Sequence, residues 1–176
     1  TQDMVKQMAP TPLVLAMANP NPEIHPDLTR EVRPDAIIGT GRSDFPNQVN
    51  NVLCFPFLFR GALDCGATTI NDEMKIACAY GLVDLAQQEA SEEVALAYDG
   101  QSLKFGPDYI IPKPFDPRLF ERVPVAVVEA AMKTGVATRP IDELEQYRPT
   151  LSQHVTRSGM FIQPAVNAAM NSGLNI

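Results

Sequence analysis

Amide side chains follow two apolar segments near the start of the chain. Asn19 lies at the end of the apolar run at residues 13–18, and the pair Asn50 and Asn51 comes shortly after a second run at residues 36–40. Short continuous apolar runs bounded by proline or glycine are typical of buried parallel strands. Because ligands bind where parallel strands end, neutral amides at this edge suit a site that holds a polar ligand by directed hydrogen bonds.

The chemistry of an amide favours orientation over proton transfer. An asparagine side chain offers an acceptor oxygen and two N–H donors without charge, so it can orient a carboxylate, a hydroxyl or a carboxamide. A helix that begins next to Asn50 and Asn51 would add positive potential for an anionic group. The residue types alone favour a structural role, in which Asn19 fills an Asx-turn before Pro20 and either Asn50 or Asn51 caps a helix.

Composition limits the classes of function. The chain has 176 residues, of which 45% are hydrophobic, enough for one ordinary core and one compact domain. Its net charge of −7 argues against a surface for nucleic acid or an anionic membrane. No apolar stretch approaches the roughly 20 residues that a membrane helix needs, and no secretion-signal pattern opens the sequence. We therefore expect a soluble, cytoplasmic chain without nucleic-acid or membrane partners.

The cysteines are expected to be structural. Cys54, Cys65 and Cys78 are an odd set, lie beside apolar residues and lack CxxC spacing. This pattern favours buried, reduced thiols over a disulfide framework, a zinc site or a nucleophile.

The spacing of apolar residues predicts an α/β arrangement. A polar crossover at residues 23–33, with Pro26 able to begin a short helix, would connect the two strands in parallel. Both strands are expected to be buried on both faces. The apolar segment at residues 52–63 predicts a buried helix with Pro56 near its first turns, which places the paired asparagines at its amino terminus.

Helix caps mark further elements. Asn71 is a good N-cap, followed by acidic residues that suit the positive end of a helix. Four residues are expected to form the apolar face of that helix: Ile76, Ala79, Tyr80 and Val83. Asp116 followed by Pro117 marks the start of another long helix, which would stop near Gly135.

The remaining segments have weaker patterns. Residues 94–98 could form one or two helical turns, and residues 105–115, with three prolines, predict an extended segment on the surface or along an edge. One more helix is expected over residues 141–154, and the tail to residue 176 is amide-rich. The glycines at 39 and 41 lack the third glycine of a dinucleotide fingerprint and predict a turn rather than a phosphate cradle.

Several segments of the chain resemble the malic enzymes, specifically the bacterial type. The resemblance is carried by ANPNPEI at residues 18–24, RPDAIIGTGRSDFPNQVNNVLCFPFLFRGALD at 33–64, ATTIN at 67–71 and KFGPDYIIPKPFDPRL at 104–119. It implies an enzyme that oxidatively decarboxylates (S)-malate to pyruvate and carbon dioxide, with NAD or NADP accepting hydride and a divalent metal, Mg²⁺ or Mn²⁺, holding the substrate. It also implies a partial Rossmann-like parallel sheet with flanking helices and a helical C-terminal tail.

The resemblance gives the amides specific roles. It implies that Asn19 and Asn51 lie beside the nicotinamide and the malate, and that Asn50 fills the neighbouring position. Asn19 and Asn51 are thus the expected cofactor-binding residues, and all three asparagines are expected to bind substrate, Asn51 foremost. Neutral hydrogen-bonding side chains suit the positioning that hydride transfer requires.

The resemblance also implies that other working parts precede the ANP segment. These are a tyrosine and a lysine for acid–base chemistry, an acidic metal-binding cluster and a glycine-rich turn. We therefore assign no catalytic residue and no metal ligand in this chain. Residues 1–140 would be the C-terminal portion of the NAD(P)-binding domain and residues 141–176 a helical tail or linker. Without the upstream half of the same enzyme, the chain is expected to be inactive.

Two interpretations from other classes stay open. The chain could be a non-catalytic module that binds a dinucleotide or a carboxylate, or an oligomerisation element whose helices pack against another subunit. Malic enzymes usually assemble as dimers or larger oligomers, so the resemblance implies a homo-oligomer. Some bacterial members continue into a phosphotransacetylase-like domain beyond a segment that resembles residues 157–160.

Overall fold

Two short parallel strands organise the first third of the fold. The computed structural model describes residues 1–89 and 103–151. After helix α1 (Gln2–Lys6), strand β1 (Leu13–Ala16) pairs in parallel with strand β2 (Ile37–Thr40), in a register that places Leu13 opposite Ile37. Helix α2 (Pro26–Val32) connects them. The fold class is α/β, as predicted, and the parallel pairing and the helix that begins at Pro26 are confirmed.

The two strands differ in burial. Ile38 in β2 is 4% exposed, whereas Leu13 and Leu15 in β1 are 52% and 50% exposed. The expectation that both strands are buried on both faces is therefore wrong for β1. Successive side chains of a strand point to opposite faces of the sheet, and the described residues leave the face that carries Leu13 and Leu15 partly uncovered.

An arginine anchors the segment before β1 to the start of β2. Arg33 donates hydrogen bonds to the carbonyl oxygens of Met8 and Ala9 and to the carboxylate of Asp35. The other partner of Asp35 is the backbone N–H of Thr11, at 2.7 Å. These hydrogen bonds, that of Arg33 foremost, hold the pKa of Asp35 well below its ordinary value.

The apolar segment after β2 folds as two pieces rather than one helix. A 3-10 turn, Asn51–Leu53, precedes helix α3, Phe55–Asp64. Pro56 lacks a backbone N–H and is best tolerated in the first turn of an α-helix, which is where it lies in α3, and the preceding residues form a separate turn.

Helix α4 (Asp72–Gln87) has the predicted cap but not the predicted buried face. The side chain of Asn71 accepts a hydrogen bond from the backbone N–H of Met74 at 3.0 Å. The buried residues are Met74, Cys78, Gly81, Leu85 and Ala86. The expected apolar face is wrong, since three of its members (Ile76, Tyr80 and Val83) are among the exposed large hydrophobic residues.

Helix α5 (Leu119–Lys133) packs against both α3 and α4 and forms the centre of the core. It starts later than predicted because the buried carboxylate of Asp116 binds the backbone N–H and the guanidinium of Arg118, which holds residues 117 and 118 in a turn. Its end near Gly135, which has φ of +74°, is confirmed.

The remaining described segments cover the core. Residues 105–115 contain no helix or strand, as expected, and residues 144–151 are helical. Tyr147 and Leu151 are buried against the core cluster. The predictions for residues 94–98, for the tail from residue 152 and for the segment at 157–160 lie outside the described residues. Among the described residues, none of the helices has the length and apolar character that crossing a membrane requires.

Two helical glycines make a matched test of the packing of α5. A Cβ atom at Gly61 would lie 2.6 Å from the carbonyl oxygen of Pro124 and 3.0 Å from Cβ of Val127. At Gly81, the nearest atom would be 3.6 Å away. We expect Gly61→Ala to destabilise the chain by about 1–3 kcal/mol through overpacking. Gly81→Ala should be neutral or stabilising by up to about 1 kcal/mol, since alanine favours helix.

Urea unfolding of the two variants measures this difference. Equal stability of Gly61→Ala and Gly81→Ala would contradict the close approach of α5 to α3.

A second prediction concerns Tyr147, whose hydroxyl donates to Oδ2 of Asp64 at 2.6 Å. Burial, and then the Asp64 carboxylate, raises the pKa of Tyr147. The folded state thus favours the neutral phenol. This stabilisation is complete below the unfolded pKa of about 10 and is lost as the pH rises above it.

Tyr147→Phe should therefore cost about 1 kcal/mol at neutral pH, with a difference from wild type that shrinks above pH ~10. The measurement is the free energy of unfolding across this pH range. Tyr80→Phe, at an exposed position, is the control and should leave the profile unchanged. A constant difference up to pH ~12 would show that the hydroxyl is not held by Asp64.

Candidate functional site

A buried asparagine fixes the loop that follows β2. Asn47 is 2% exposed, and its φ of +54° lies in the left-handed region that asparagine tolerates better than most residues. Its side-chain Nδ2 donates to the carbonyl oxygens of Ile38 at 2.9 Å and Pro107 at 2.7 Å. Its Oδ1 accepts from the backbone N–H of Ile110 at 2.8 Å. One side chain thereby joins β2, its own loop and a segment some 60 residues away.

The loop returns to the end of β2. The carbonyl oxygen of Thr40 accepts a hydrogen bond from the N–H of Val49 at 2.7 Å, and Thr40 forms a parallel bridge with Gln48. The side chain of Gln48 reaches the carbonyl oxygen of Gly41 at 3.4 Å. The residues that precede the asparagine pair are therefore attached to the end of the strand.

Asn19 lies at this same edge. A Cβ atom at Gly41 would lie 3.1 Å from Oδ1 and 3.3 Å from Nδ2 of Asn19, so the amide covers the glycine that follows β2. The Asn19 side chain is exposed and forms no hydrogen bond with any residue that the structure describes. The Asx-turn that the residue types favoured is thus not formed here, and the amide is available to a ligand.

The paired asparagines have different roles. Oδ1 of Asn50 accepts a hydrogen bond from the N–H of Val52 at 3.0 Å and caps the 3-10 turn, so its structural role is borne out. Asn51 begins that turn; its side chain is exposed and has no hydrogen-bond partner in the described part of the chain. The three-residue turn is too short to supply the helix potential expected at this position, because α3 begins only at Phe55.

Chain connectivity keeps these amides close together. Asn19 and Gln48 both contact Gly41, and Asn51 follows Gln48 by three residues. Three residues span at most about 10 Å. Asn19 and Gln48 thus meet at the end of β2, and chain connectivity keeps Asn51 within about 10 Å of Gln48.

Charged side chains near this edge are paired with one another. Arg42 binds Asp44 through two hydrogen bonds of 2.8 and 2.6 Å and lies over the ring of Phe45. Its guanidinium lowers the pKa of Asp44. Glu23 accepts a hydrogen bond from the N–H of Ala18 at 3.1 Å. These carboxylates are held ionised by their partners, which suits shaping the loop rather than general acid catalysis.

A cavity of about 210 Å³ beside the loop was missed by the sequence analysis. Its lining includes Ser43 and Asp44 from the loop, Lys104 from just before the proline-rich segment and Lys113 from within it. Burial lowers the pKa of Lys113. Both lysines were visible in the sequence, but nothing in their spacing indicated that this part of the chain returns to β2.

The donor set fits a polar organic ligand better than a metal ion. Amide oxygens and N–H groups match the carboxamide, hydroxyl and carboxylate groups of a dinucleotide and a hydroxy acid. Among residues 1–89 and 103–151, no group of three or more His, Cys, Asp or Glu side chains could hold a metal ion. The cysteines belong to the core instead: Cys65 and Cys78 are buried, Cys54 is half-buried, and all three are free.

Comparison with curated proteins gives strong matches, although no family model matches the chain. It is 60% identical over 169 residues to the NADP-dependent malic enzyme of Escherichia coli (strain K12). This alignment covers 96% of this chain and 22% of that protein. It is 54% identical over 173 residues to the NAD-dependent malic enzyme of Rhizobium meliloti (strain 1021), covering 98% and 22%. The chain therefore spans about a fifth of the length of these relatives.

A solved structure gives a match to the same kind of enzyme. The malic enzyme from Pyrococcus horikoshii Ot3 aligns with a TM-score of 0.75 and 33% identity over 94% of this chain and 35% of that one. The likeness in sequence and structure thus extends over nearly all of the chain.

The buried amide of Asn47 provides the test of the loop. Asn47→Ala leaves two carbonyl oxygens and one N–H without their partner, and we expect a loss of about 3 kcal/mol in the free energy of unfolding. Asn47→Gly removes the same hydrogen bonds but relieves the positive φ, so it should recover only part of the loss. Gln48→Ala is the control and should cost less than about 1 kcal/mol. Full recovery in Asn47→Gly, measured by urea unfolding, would mean that backbone conformation and not the amide fixes the loop.

Proposed function

We propose, from the premise that this chain is homologous to a segment of the malic enzymes, that it takes part in the oxidative decarboxylation of (S)-malate to pyruvate and carbon dioxide. In this proposal, residues 1–140 are the C-terminal portion of the NAD(P)-binding domain and residues 141–176 a tail or linker. The observation that carries the proposal is the match over 96% of the chain to an NADP-dependent malic enzyme.

The exposed amides are the proposed binding residues. Asn51 orients the malate and the nicotinamide, Asn19 contacts the same two groups from the end of β1, and Asn50 lies beside the malate while it caps the turn. Support comes from the geometry, because the amides of Asn19 and Asn51 are exposed and not engaged by the described residues. Hydride transfer requires the reacting carbons in contact geometry, and fixed neutral donors and acceptors provide it without shifting the charge of the substrate.

The cofactors supply the chemistry that these residues position. NAD or NADP, when bound, accepts the hydride from malate, and Mg²⁺ or Mn²⁺ holds the substrate during decarboxylation. Both nicotinamide cofactors occur in the names of the relatives. We place the metal ligands and the acid–base residues outside the described residues, in the upstream part of the enzyme.

Malate and pyruvate are the proposed small-molecule partners, and the upstream half of the enzyme is the proposed macromolecular one. The exposed side of β1, where Leu13 and Leu15 are about half exposed, supports such a partner because apolar strand residues are normally covered. We further propose that the complete enzyme lies in the cytoplasm and assembles as a homo-oligomer.

Oligomerisation is also the second candidate function, and a particular surface favours it. Phe55, Phe59 and Leu63 form an apolar stripe along α3, with exposed fractions of 61%, 41% and 66%. Their spacing of four residues places them on one side of the helix. Sedimentation at high protein concentration tests this role, and a chain that stays monomeric would count against it.

Substitution of Asn51 tests the enzymatic proposal. In a polypeptide that contains this segment and the upstream half, Asn51→Ala should lower kcat for malate-dependent reduction of NAD or NADP by roughly 10- to 1,000-fold. The matched control is Asn71→Ala, which removes the cap of α4 away from the sheet edge and should reduce stability with little change in kcat. The 176-residue chain alone should show no turnover.

The proposal that essential groups lie upstream and the proposed role of Asn51 can fail independently of each other. Turnover by the isolated chain would overturn the view that essential groups lie upstream. Unchanged kinetics in Asn51→Ala, with normal activity in the parent, would overturn the role of Asn51 but not the family activity.

A further inference from the structure

Two cysteines from different elements meet behind the asparagine pair. Cys54 lies between the 3-10 turn and α3, and Cys78 lies in the middle of α4. The thiol of Cys78 points at Sγ of Cys54 at a distance of 3.1 Å, although 24 residues separate them in the sequence. A disulfide bond has an S–S distance of about 2.05 Å, so a shift of roughly 1 Å would allow a covalent bond.

The two thiols differ in access. Cys78 is completely buried and Cys54 is half-buried, so a small oxidant reaches Cys54 first. Burial, and then the neighbouring Cys54, raises the pKa of Cys78 to about 12, so Cys78 keeps its proton until the adjacent Cys54 has been oxidised. The remaining cysteine, Cys65, is also buried, but its thiol donates to the carbonyl oxygen of Ala62 at 3.6 Å instead.

We propose that Cys54 and Cys78 form a modification site, a dithiol that a peroxide oxidises to a disulfide linking the asparagine-bearing turn to α4. Cys54, as thiolate, attacks one oxygen of hydrogen peroxide, which breaks the O–O bond and gives the sulfenic acid and, after protonation, water. The sulfur of Cys78 then attacks that of Cys54. The S–S bond forms as the S–O bond breaks, and hydroxide leaves and takes up the Cys78 proton as a second water. Two electrons pass from the thiols to the peroxide.

The bond would act on the candidate site through the backbone. The N–H of Cys54 donates to the carbonyl oxygen of Asn51 at 3.1 Å, so Cys54 closes the turn that Asn51 begins. A disulfide at Cys54 fastens this turn to α4. Any effect on turnover rests on the proposed function, whereas formation of the disulfide does not.

Peptide mapping tests the site directly on the 176-residue chain. Cleavage after lysine and arginine places each cysteine on its own peptide: residues 43–60, 61–75 and 76–104. After treatment with hydrogen peroxide and digestion without reductant, we expect peptides 43–60 and 76–104 as one covalent species, two hydrogens lighter than their sum. Dithiothreitol should separate them. Denatured oxidised protein should retain one reactive thiol out of three.

Matched variants distinguish this pair from random oxidation. Cys65→Ser should form the same linked species, whereas Cys54→Ser should not. The cross-link should also raise Tm by several degrees, because it closes a loop in the unfolded chain. Three free thiols after oxidation, a link that involves peptide 61–75, or sulfinic acid at Cys54 with Cys78 still free would each overturn the proposal. The wild-type map decides the question even if a variant fails to fold.

Discussion

The hydrogen bonds of one buried amide hold the candidate site together. Asn47 binds one N–H and two carbonyl oxygens, one of which belongs to the buried Ile38, and it does so from a backbone conformation with φ of +54°. An apolar side chain of similar size would leave all three groups without this partner, and a buried group left unpaired costs about 1–3 kcal/mol. Because Gln48 and the asparagine pair follow Asn47 directly, the position of every candidate ligand-binding amide after β2 depends on this residue.

The helical part of the fold depends on a different constraint, which is close backbone approach. Gly61 on α3 allows the carbonyl oxygen of Pro124 on α5 to come within a distance that no side chain would permit. The buried valines of α5 then fill the space between α3 and α4. The 3-10 turn that carries Asn51 leads directly into α3, so this packing fixes the end of the turn. Asn47 fixes the loop that precedes the turn.

Local signals in the sequence predicted local structure well. The caps at Asn50 and Asn71, the helix start at Pro26 and the parallel pairing of the two strands all follow from residue types at fixed positions. The buried face of α4 did not, because this helix carries apolar residues on two sides, and which side is covered depends on where α5 packs. Likewise, the residue types could predict amides after the strands, and Asn19 does lie beside the glycine that follows β2, but the roles proposed for Asn19 and Asn51 come from the resemblance to a family. The hydrogen bonds of Asn47 could not be foreseen, since its partners lie in a distant segment with no periodic pattern.

The separation between Asn47 and its partners also sets an order of events in folding. The strands, α2 and the 3-10 turn involve residues close in sequence, whereas the bonds to Pro107 and Ile110 span 60 and 63 residues. Contacts of this length form late because the intervening chain must first be ordered. During synthesis, the Asn47 amide can therefore reach Ile38 as soon as the loop has emerged from the ribosome, but its two long-range partners are absent until residues 107 and 110 have emerged. The asparagine-bearing edge is completed by the proline-rich segment, not by the strands that give the edge its shape.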